Sequence, residues 1–325
     1  MSGGLARGTG SAEDRELLAG DKAFNLDDLK AARAHYDKAR ALAPRDPAAR
    51  VGLSRVALEA SGVATDYAAA PKDRRIEAIL RQLDAALRLD KDYGPAHVQR
   101  GRVLLILGRA PDALASLQHG VELMPRDAEA HSALAVGLLA TGKAKEALQQ
   151  FHTASQLDPD NPDRLTNLGT AYMMRGRVAD AIVAYKRAVE LAPDDARAHG
   201  DLGTAYLADG RADHALPELK RALQLEPDRA TFLSNLGYAY QELGKLDLAV
   251  ATVKKALSKD KKLGSAWINL GTALARQKKY DEAERAFKKA LALDPTDPRA
   301  KANLADLAEL GKKSGGAAGK RPSSK

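Results

Sequence analysis

The chain has 325 residues, no cysteine, 4% aromatic side chains and a formal charge of +8. Lacking cysteine, it can hold no disulfide framework, thiol nucleophile, thiolate metal site or lipid-modified cysteine, a composition that fits a reducing compartment. The charge is uneven. Residues 312–325 carry Lys312, Lys313, Lys320, Arg321 and Lys325 and no acid, +5 of the total, which leaves +3 on the rest of the chain. A body so near neutral lacks the broad footprint of a nucleic-acid binder, so nucleic acid is not the expected partner.

Residues 1–12, MSGGLARGTGSA, contain no apolar run. There is thus no secretory leader there, and the segment reads as a disordered N-terminus. No stretch approaches the roughly 20 apolar residues of a membrane span, which predicts a soluble, cytoplasmic chain.

From residue 13 onward the chain repeats. Gly101, Gly169, Gly203, Gly237 and Gly271 lie on one ruler with a period of about 34 residues, with Ala135 in the gap. Pro125, Pro159, Pro193, Pro227 and Pro295 lie on a second ruler of the same period, and Ala113, Ala147, Ala181, Ala215, Ala249 and Ala283 on a third. A fixed period of this length marks a repeat architecture. In 162–195, Leu165, Leu168 and Tyr172 give one apolar face at helical spacing, Gly176 breaks the chain, and Ala181, Ile182, Tyr185, Ala188 and Val189 give a second face. Pro193 then stops the second helix. Gly169 and Ala181 are small where two helices cross closely.

Residues 264–297 read Trp267, Leu270, Gly271, Ala283, Phe287 and Pro295 in order. This resembles the tetratricopeptide repeat family, with Leu274 where the family prefers Tyr. The resemblance implies an all-α, right-handed α-solenoid (superhelix) of about eight helix-turn-helix repeats plus a C-terminal capping helix. The repeats start near 13, 47, 94, 128, 162, 196, 230 and 264, within a superhelix over 13–310. The second repeat, from 47 to 93, overruns the common period, and its insertion falls within 60–74. Pro217 lies inside a second helix, which predicts a local bend or a late helix start over 211–217. Residues 298–310 form the capping helix, with Leu304, Leu307 and Leu310 on one stripe. The Gly-, Ser- and Lys-rich 311–325 reads as a disordered basic tail.

Nothing here points to catalysis or a cofactor. Residues 137–144, GLLATGKA, end in Ala144 where a phosphate loop needs Ser or Thr, and no strand precedes them. His97, His131 and His199 share one repeat position, too far apart to share a metal ion. Carboxylates fall mostly on solvated faces, none beside an apolar pocket. The expected chain is not an enzyme and needs no cofactor or metal.

The resemblance places the first helix of each repeat on the concave side. There Asn167, Asp201, Asn235, Asn269 and Asn303 precede the packed Leu-Gly position, similar to the asparagine ladder of O-linked N-acetylglucosamine transferases. Thr170, Thr204, Tyr238 and Thr272 stand three positions further on. An Asn amide both donates and accepts, so a row of them can grip a peptide backbone whatever its side chains. The family also holds C-terminal carboxylates in Lys/Arg/Asn clamps. Arg55 and Arg102 occupy the Thr170 position early in the chain but lack those partners. The reading is therefore a protein-binding scaffold or adaptor with a peptide groove. The alternative is nucleic-acid or anionic-surface binding through the basic tail.

Overall fold

The computed structural model describes residues 4–64 and 67–317, with side chains described as far as Glu309. All regular structure among the described residues is α-helix. The chain divides into two compact units, Met1–Arg175 and Gly176–Lys325. Unit 1 holds α1 (Ala12–Asn25), α2 (Leu29–Leu42), α3 (Ala48–Ala60), α4 (Arg74–Leu89), α5 (Gly94–Ile106), α6 (Ala110–Leu123), α7 (Ala128–Ala140), α8 (Ala144–Leu157) and α9 (Pro162–Met174). Unit 2 holds α10 (Val178–Leu191), α11 (Ala196–Ala208), α12 (Ala212–Leu225), α13 (Ala230–Glu242), α14 (Leu246–Lys259), α15 (Gly264–Arg276), α16 (Tyr280–Leu293) and α17 (Pro298–Ala317). No helix among the described residues is long and apolar enough to cross a membrane.

Tight turns join the two helices of a pair, and each needs a residue at positive φ. Gly108, Gly142, Gly210 and Gly244 supply it at +72° to +76°, while Lys278 takes the same turn at +64° in the last repeat. Gly142 is therefore a turn residue, and GLLATGKA runs from α7 into α8 rather than forming a phosphate loop. The crossings explain the other ruler. A Cβ on Gly237 would lie 2.3 Å from Val253, and one on Gly203 2.7 Å from Leu219. Ala215, Ala249 and Ala283 on the partner helices are fully buried.

A third element of the repeat is aromatic. His97, His131 and His199 each donate a ring N–H to the carbonyl six positions earlier, at Lys91, Pro125 and Pro193, over 2.8–3.1 Å. The Trp267 indole does the same to Lys261 at 2.9 Å. These rings tie α5, α7, α11 and α15 to the turns before them.

Within each unit the first helices touch one another across repeats: α1, α3, α5 and α7 in unit 1, and α11, α13, α15 and α17 in unit 2. Among the described residues, second helices make no comparable contacts with each other. The row that approaches itself lies on the inner side of a bend, so first helices line the inner face of each unit.

Two sequence expectations need correction, on the N-terminus and on the end of the capping helix, and two others gain detail. The N-terminus is not disordered over 4–11. Leu5 is buried, its N–H donates to Asp21 Oδ2 at 2.8 Å, and its carbonyl accepts from the Tyr93 hydroxyl at 3.1 Å. Arg7 then pairs with Asp46 at 3.0 Å and Asp90 at 3.2 Å. One apolar side chain, with its backbone satisfied, outweighs the Gly-rich composition around it. Residues 1–3 lie outside the described residues.

The inserted segment is also partly ordered. Ala68 and Ala70 donate their N–H groups to the carbonyls of Leu105 and Ile106 at 2.9 and 3.1 Å; the Ile106 carbonyl is one that the end of α5 would otherwise leave open, while the Leu105 carbonyl also accepts from Gly108 at 2.9 Å. Thr65 and Asp66 lie outside the described residues. Pro217 does not delay its helix: α12 starts at Ala212, in the same register as α10 at Val178 and α14 at Leu246. Pro217 and Asp213 are both exposed, so the carbonyl that loses its partner faces water. Finally, α17 runs to Ala317, beyond the expected 310 and into the expected disordered tail, of which 318–325 lie outside the described residues. Ala300 and Leu307 of this helix are buried over the last pair.

Candidate functional site

On the inner face of unit 2 the expected groove residues are all at least partly exposed, and most are bonded between repeats. Asn235 on α13 donates Nδ2–H to Thr204 Oγ1 on α11 at 2.8 Å. The Thr204 hydroxyl in turn donates to the Gly200 carbonyl at 2.7 Å. Asn303 on α17 meets Thr272 Oγ1 on α15 at 3.4 Å, and Thr272 donates to the Ile268 carbonyl at 3.0 Å. Asn269 takes a variant route, donating to Ser234 Oγ at 3.0 Å and the Ser234 carbonyl at 3.3 Å. Each relay therefore runs from an amide through a hydroxyl to a helix carbonyl, or straight to that carbonyl. Its direction is fixed, because the threonine proton is already committed. The amide donor braces the solenoid, and the Oδ1 acceptor has no protein partner among the described residues.

Asp201 departs from the row. It pairs with Arg197 on its own helix at 3.6 Å, and burial raises its carboxyl above the usual range despite that cation. Burial, then Glu242, pushes the Tyr238 phenol up. Arg276 donates to the Gln241 carbonyl at 2.8 Å and pairs with Glu242 at 3.1 Å, and its charge partly offsets the rise at Tyr238.

Unit 1 carries a different site. A cavity of about 570 Å³ opens on its inner face, with an apolar wall of Phe24, Leu58, Leu105, Ile106 and Val136. Its polar wall includes Arg102, Glu129, Ser132, Arg164 and Asn167. The Arg164 side chain is 6% exposed and pairs with Glu129 at 3.3 Å and Asp158 at 3.2 Å. It also donates to Ser132 Oγ at 2.8 Å. Arg102 holds the other Glu129 oxygen at 2.6 Å. Burial alone would raise the Glu129 carboxyl, but the two guanidiniums outweigh it and hold it below the usual range.

This cluster contradicts the expectation that no carboxylate adjoins an apolar pocket. Only Arg164, a buried cation at the start of α9, could have hinted at it in the sequence. Arg102 and Arg55 are committed to Glu129 and Asp21, the latter at 3.6 Å, rather than arranged as a clamp. Thr170 donates to the Thr166 carbonyl at 3.0 Å on its own helix. Asn167 and Thr170 belong to unit 1, and the other groove residues to unit 2.

Tetratricopeptide repeat models match residues 138–202, 230–262 and 264–297, and a TPR repeat model matches 203–244. A model of the bacterial transcriptional activator domain matches 13–160. No curated protein matches the sequence. Among solved structures, a chain of the APC/C hetero-tetramer Cut9–Hcn1 aligns over 93% of this chain and 57% of its own, at 17% identity and TM-score 0.68. The present chain thus spans little more than half the length of that relative. A tetratricopeptide repeat protein from Parabacteroides merdae aligns over 81% of this chain and 99% of its own, at 15% identity and TM-score 0.60. Pseudomonas aeruginosa pilF aligns over 67% and 98%, at 20% identity and TM-score 0.56. At these identities the likeness is one of fold.

Proposed function

We propose that this chain, which belongs to the tetratricopeptide repeat family, is a non-catalytic cytoplasmic adaptor that holds an extended segment of a protein partner along its inner faces. A protein-interaction scaffold is what the repeats and their structural neighbours support at the coarse level. The observation that carries the finer reading is the row Asn235, Asn269 and Asn303. Their donors are anchored in the neighbouring repeat, and their Oδ1 atoms remain to accept N–H groups of a bound backbone. An extended peptide rises about 3.3 Å per residue, so one acceptor per repeat meets about every third residue. In unit 1, Asn167 beside the apolar wall suits a segment that also carries an apolar side chain.

The test is affinity capture with the full chain, followed by titration of the captured segment against wild type and the Asn235→Ala, Asn269→Ala, Asn303→Ala triple variant. Loss of about 1 kcal/mol per acceptor is expected. N-methylation of the peptide should hurt more than scrambling its side chains. A folded triple variant that binds like wild type sinks the asparagine reading.

The second reading, an anionic partner bound through the basic C-terminal residues, gains support from the transcriptional activator domain match over 13–160. Binding that depends steeply on salt and vanishes on deleting 312–325 would favour it.

A further inference from the structure

We propose that the outer face of unit 2 is a track for the phosphate backbone of double-stranded nucleic acid, built from one dibasic pair repeated on four successive second helices. The pairs are Lys186–Arg187 on α10, Lys220–Arg221 on α12, Lys254–Lys255 on α14 and Lys288–Lys289 on α16, each one repeat length from the next. Equal register on equivalent helices aligns them along the side of unit 2 opposite the inner row. Seven of the eight side chains are exposed, and Arg221 is half-buried. The fold does not require them. The same register in unit 1 holds Asp37–Lys38, Asp84–Ala85, Gln118–His119 and His152–Thr153.

Most of this charge is not neutralised internally. Arg187 meets Glu190 at 3.2 Å, Arg221 meets Asp194 at 2.5 Å and Lys288 meets Glu284 at 2.6 Å. Lys186, Lys220, Lys254, Lys255 and Lys289 have no carboxylate within ion-pair distance among the described residues. The surroundings are basic too: residues 245–290 contain twelve Lys and Arg against five Asp and Glu, a net +7. The near-neutral sum of the body therefore conceals a basic pole.

The neighbours of the pairs select the partner. Ala251, Ser258, Ala292 and Gln224 are small or polar, and among the described residues no exposed Phe, Tyr or Trp lies on these four helices. Exposed Val183, Leu248 and Leu293 stand singly, one each on α10, α14 and α16. The face thus lacks the aromatic platforms that stack single-stranded bases, the apolar and aromatic core of a protein interface and the apolar wedge of a membrane-surface helix. A regular row of Lys and Arg with nothing to read a base edge fits a regular polyanion held through its phosphates.

The test is an anisotropy titration of the full chain with a labelled, mixed-sequence DNA duplex of about 20 base pairs, between about 50 and about 200 mM salt. Wild type should bind with a steep salt slope and no preference among scrambled duplexes. Changing Lys186, Lys220, Lys254, Lys255 and Lys289 to Gln should weaken binding at low salt at least about tenfold and flatten the slope by about 4, close to one per lost phosphate contact. Deleting 312–325 should leave the slope difference between wild type and this variant in place. Five exposed unit 1 lysines changed to Gln (Lys30, Lys38, Lys72, Lys91 and Lys145) control for net charge and should change affinity by less than about threefold. Far-UV circular dichroism checks folding. Should the fivefold variant melt, Lys254→Glu with Lys255→Glu gives the same reading on one helix. The proposal is overturned if wild type does not bind duplex, if tail deletion alone removes all binding, or if the control lysines matter equally. Phosphatidylserine vesicles captured in preference to duplex would overturn it as well.

Discussion

Removing the Asn235 amide should cost stability, although the residue sits at the surface of a groove. Its Nδ2–H donates to Thr204 Oγ1 at 2.8 Å, and Thr204 has already given its own proton to Gly200 at 2.7 Å. Asn235→Ala loses one neutral bond between partly exposed groups, worth about 0.5–1 kcal/mol. Asn269→Ala should cost more, about 1–1.5 kcal/mol, because Ser234 is 1% exposed and its acceptors are left with less access to water. Asn303, at 3.4 Å, should cost about 0.5 kcal/mol or less. The triple variant then loses about 1.5–3 kcal/mol, against the roughly ±0.5 kcal/mol usual for an uninvolved surface residue. The assay is urea unfolding followed by far-UV circular dichroism, with a double-mutant cycle of Asn235→Ala and Thr204→Val to isolate the pair. A coupling of about 0.5–1 kcal/mol is expected. Asn235→Asp should be no better than Ala, since a carboxylate cannot donate to an oxygen whose proton is engaged. Zero coupling, or an Asp variant as stable as wild type, would refute the relay.

Other substitutions have equally specific outcomes. Lys278→Gly should raise stability by about 0.5–1 kcal/mol, because lysine is strained at φ +64° where Gly serves the equivalent turns; a thermal melt reads it. Gly237→Ala should destabilise by about 1–3 kcal/mol, since its Cβ would lie 2.3 Å from Val253, while Gly264→Ala, with nothing within 4 Å, should be neutral or better in the same melt. Asp201→Asn should stabilise at neutral pH: the folded carboxyl is raised by burial, so its charge costs stability above that value and the gain fades as acid protonates it in both states. Glu129→Gln should cost about 3 kcal/mol by leaving Arg164 and Arg102 short of a counter-charge; the depressed carboxyl gives that stability above the unfolded carboxylate range and loses it as pH falls, so the gap to wild type closes in acid unfolding curves.

The pairing of helices was legible because its determinants are local. Turn glycines, crossing glycines and alanines, and terminal prolines each occupy one register and need no knowledge of distant contacts. What the sequence concealed depends on partners outside the repeat. Leu5 stands alone in a Gly-rich stretch, and only Asp21 and Tyr93, 16 and 88 residues away, reveal its docking. The groove asparagines were visible as a row, but their amides were already engaged one repeat back. The Glu129 cluster joins residues from α5, α7 and α9, and no spacing rule connects them. The dibasic pairs were legible as text, yet a summed charge hides what an alignment of the repeats makes plain.

The relays on the inner face all point from a later repeat to an earlier one. A repeat carrying Asn at one position and a hydroxyl residue three positions on, or one before it as at Ser234, supplies a donor backward and an acceptor forward. A duplicated unit of that kind would therefore splice into the row with both junctions already matched. No compensating change would be needed in its neighbours. Asp201 is the exception: it offers no donor to whatever precedes it, so α11 is where an inserted copy would meet a mismatched seam. Lengthening of the array by duplication should accordingly be tolerated within 230–297 more readily than immediately ahead of α11.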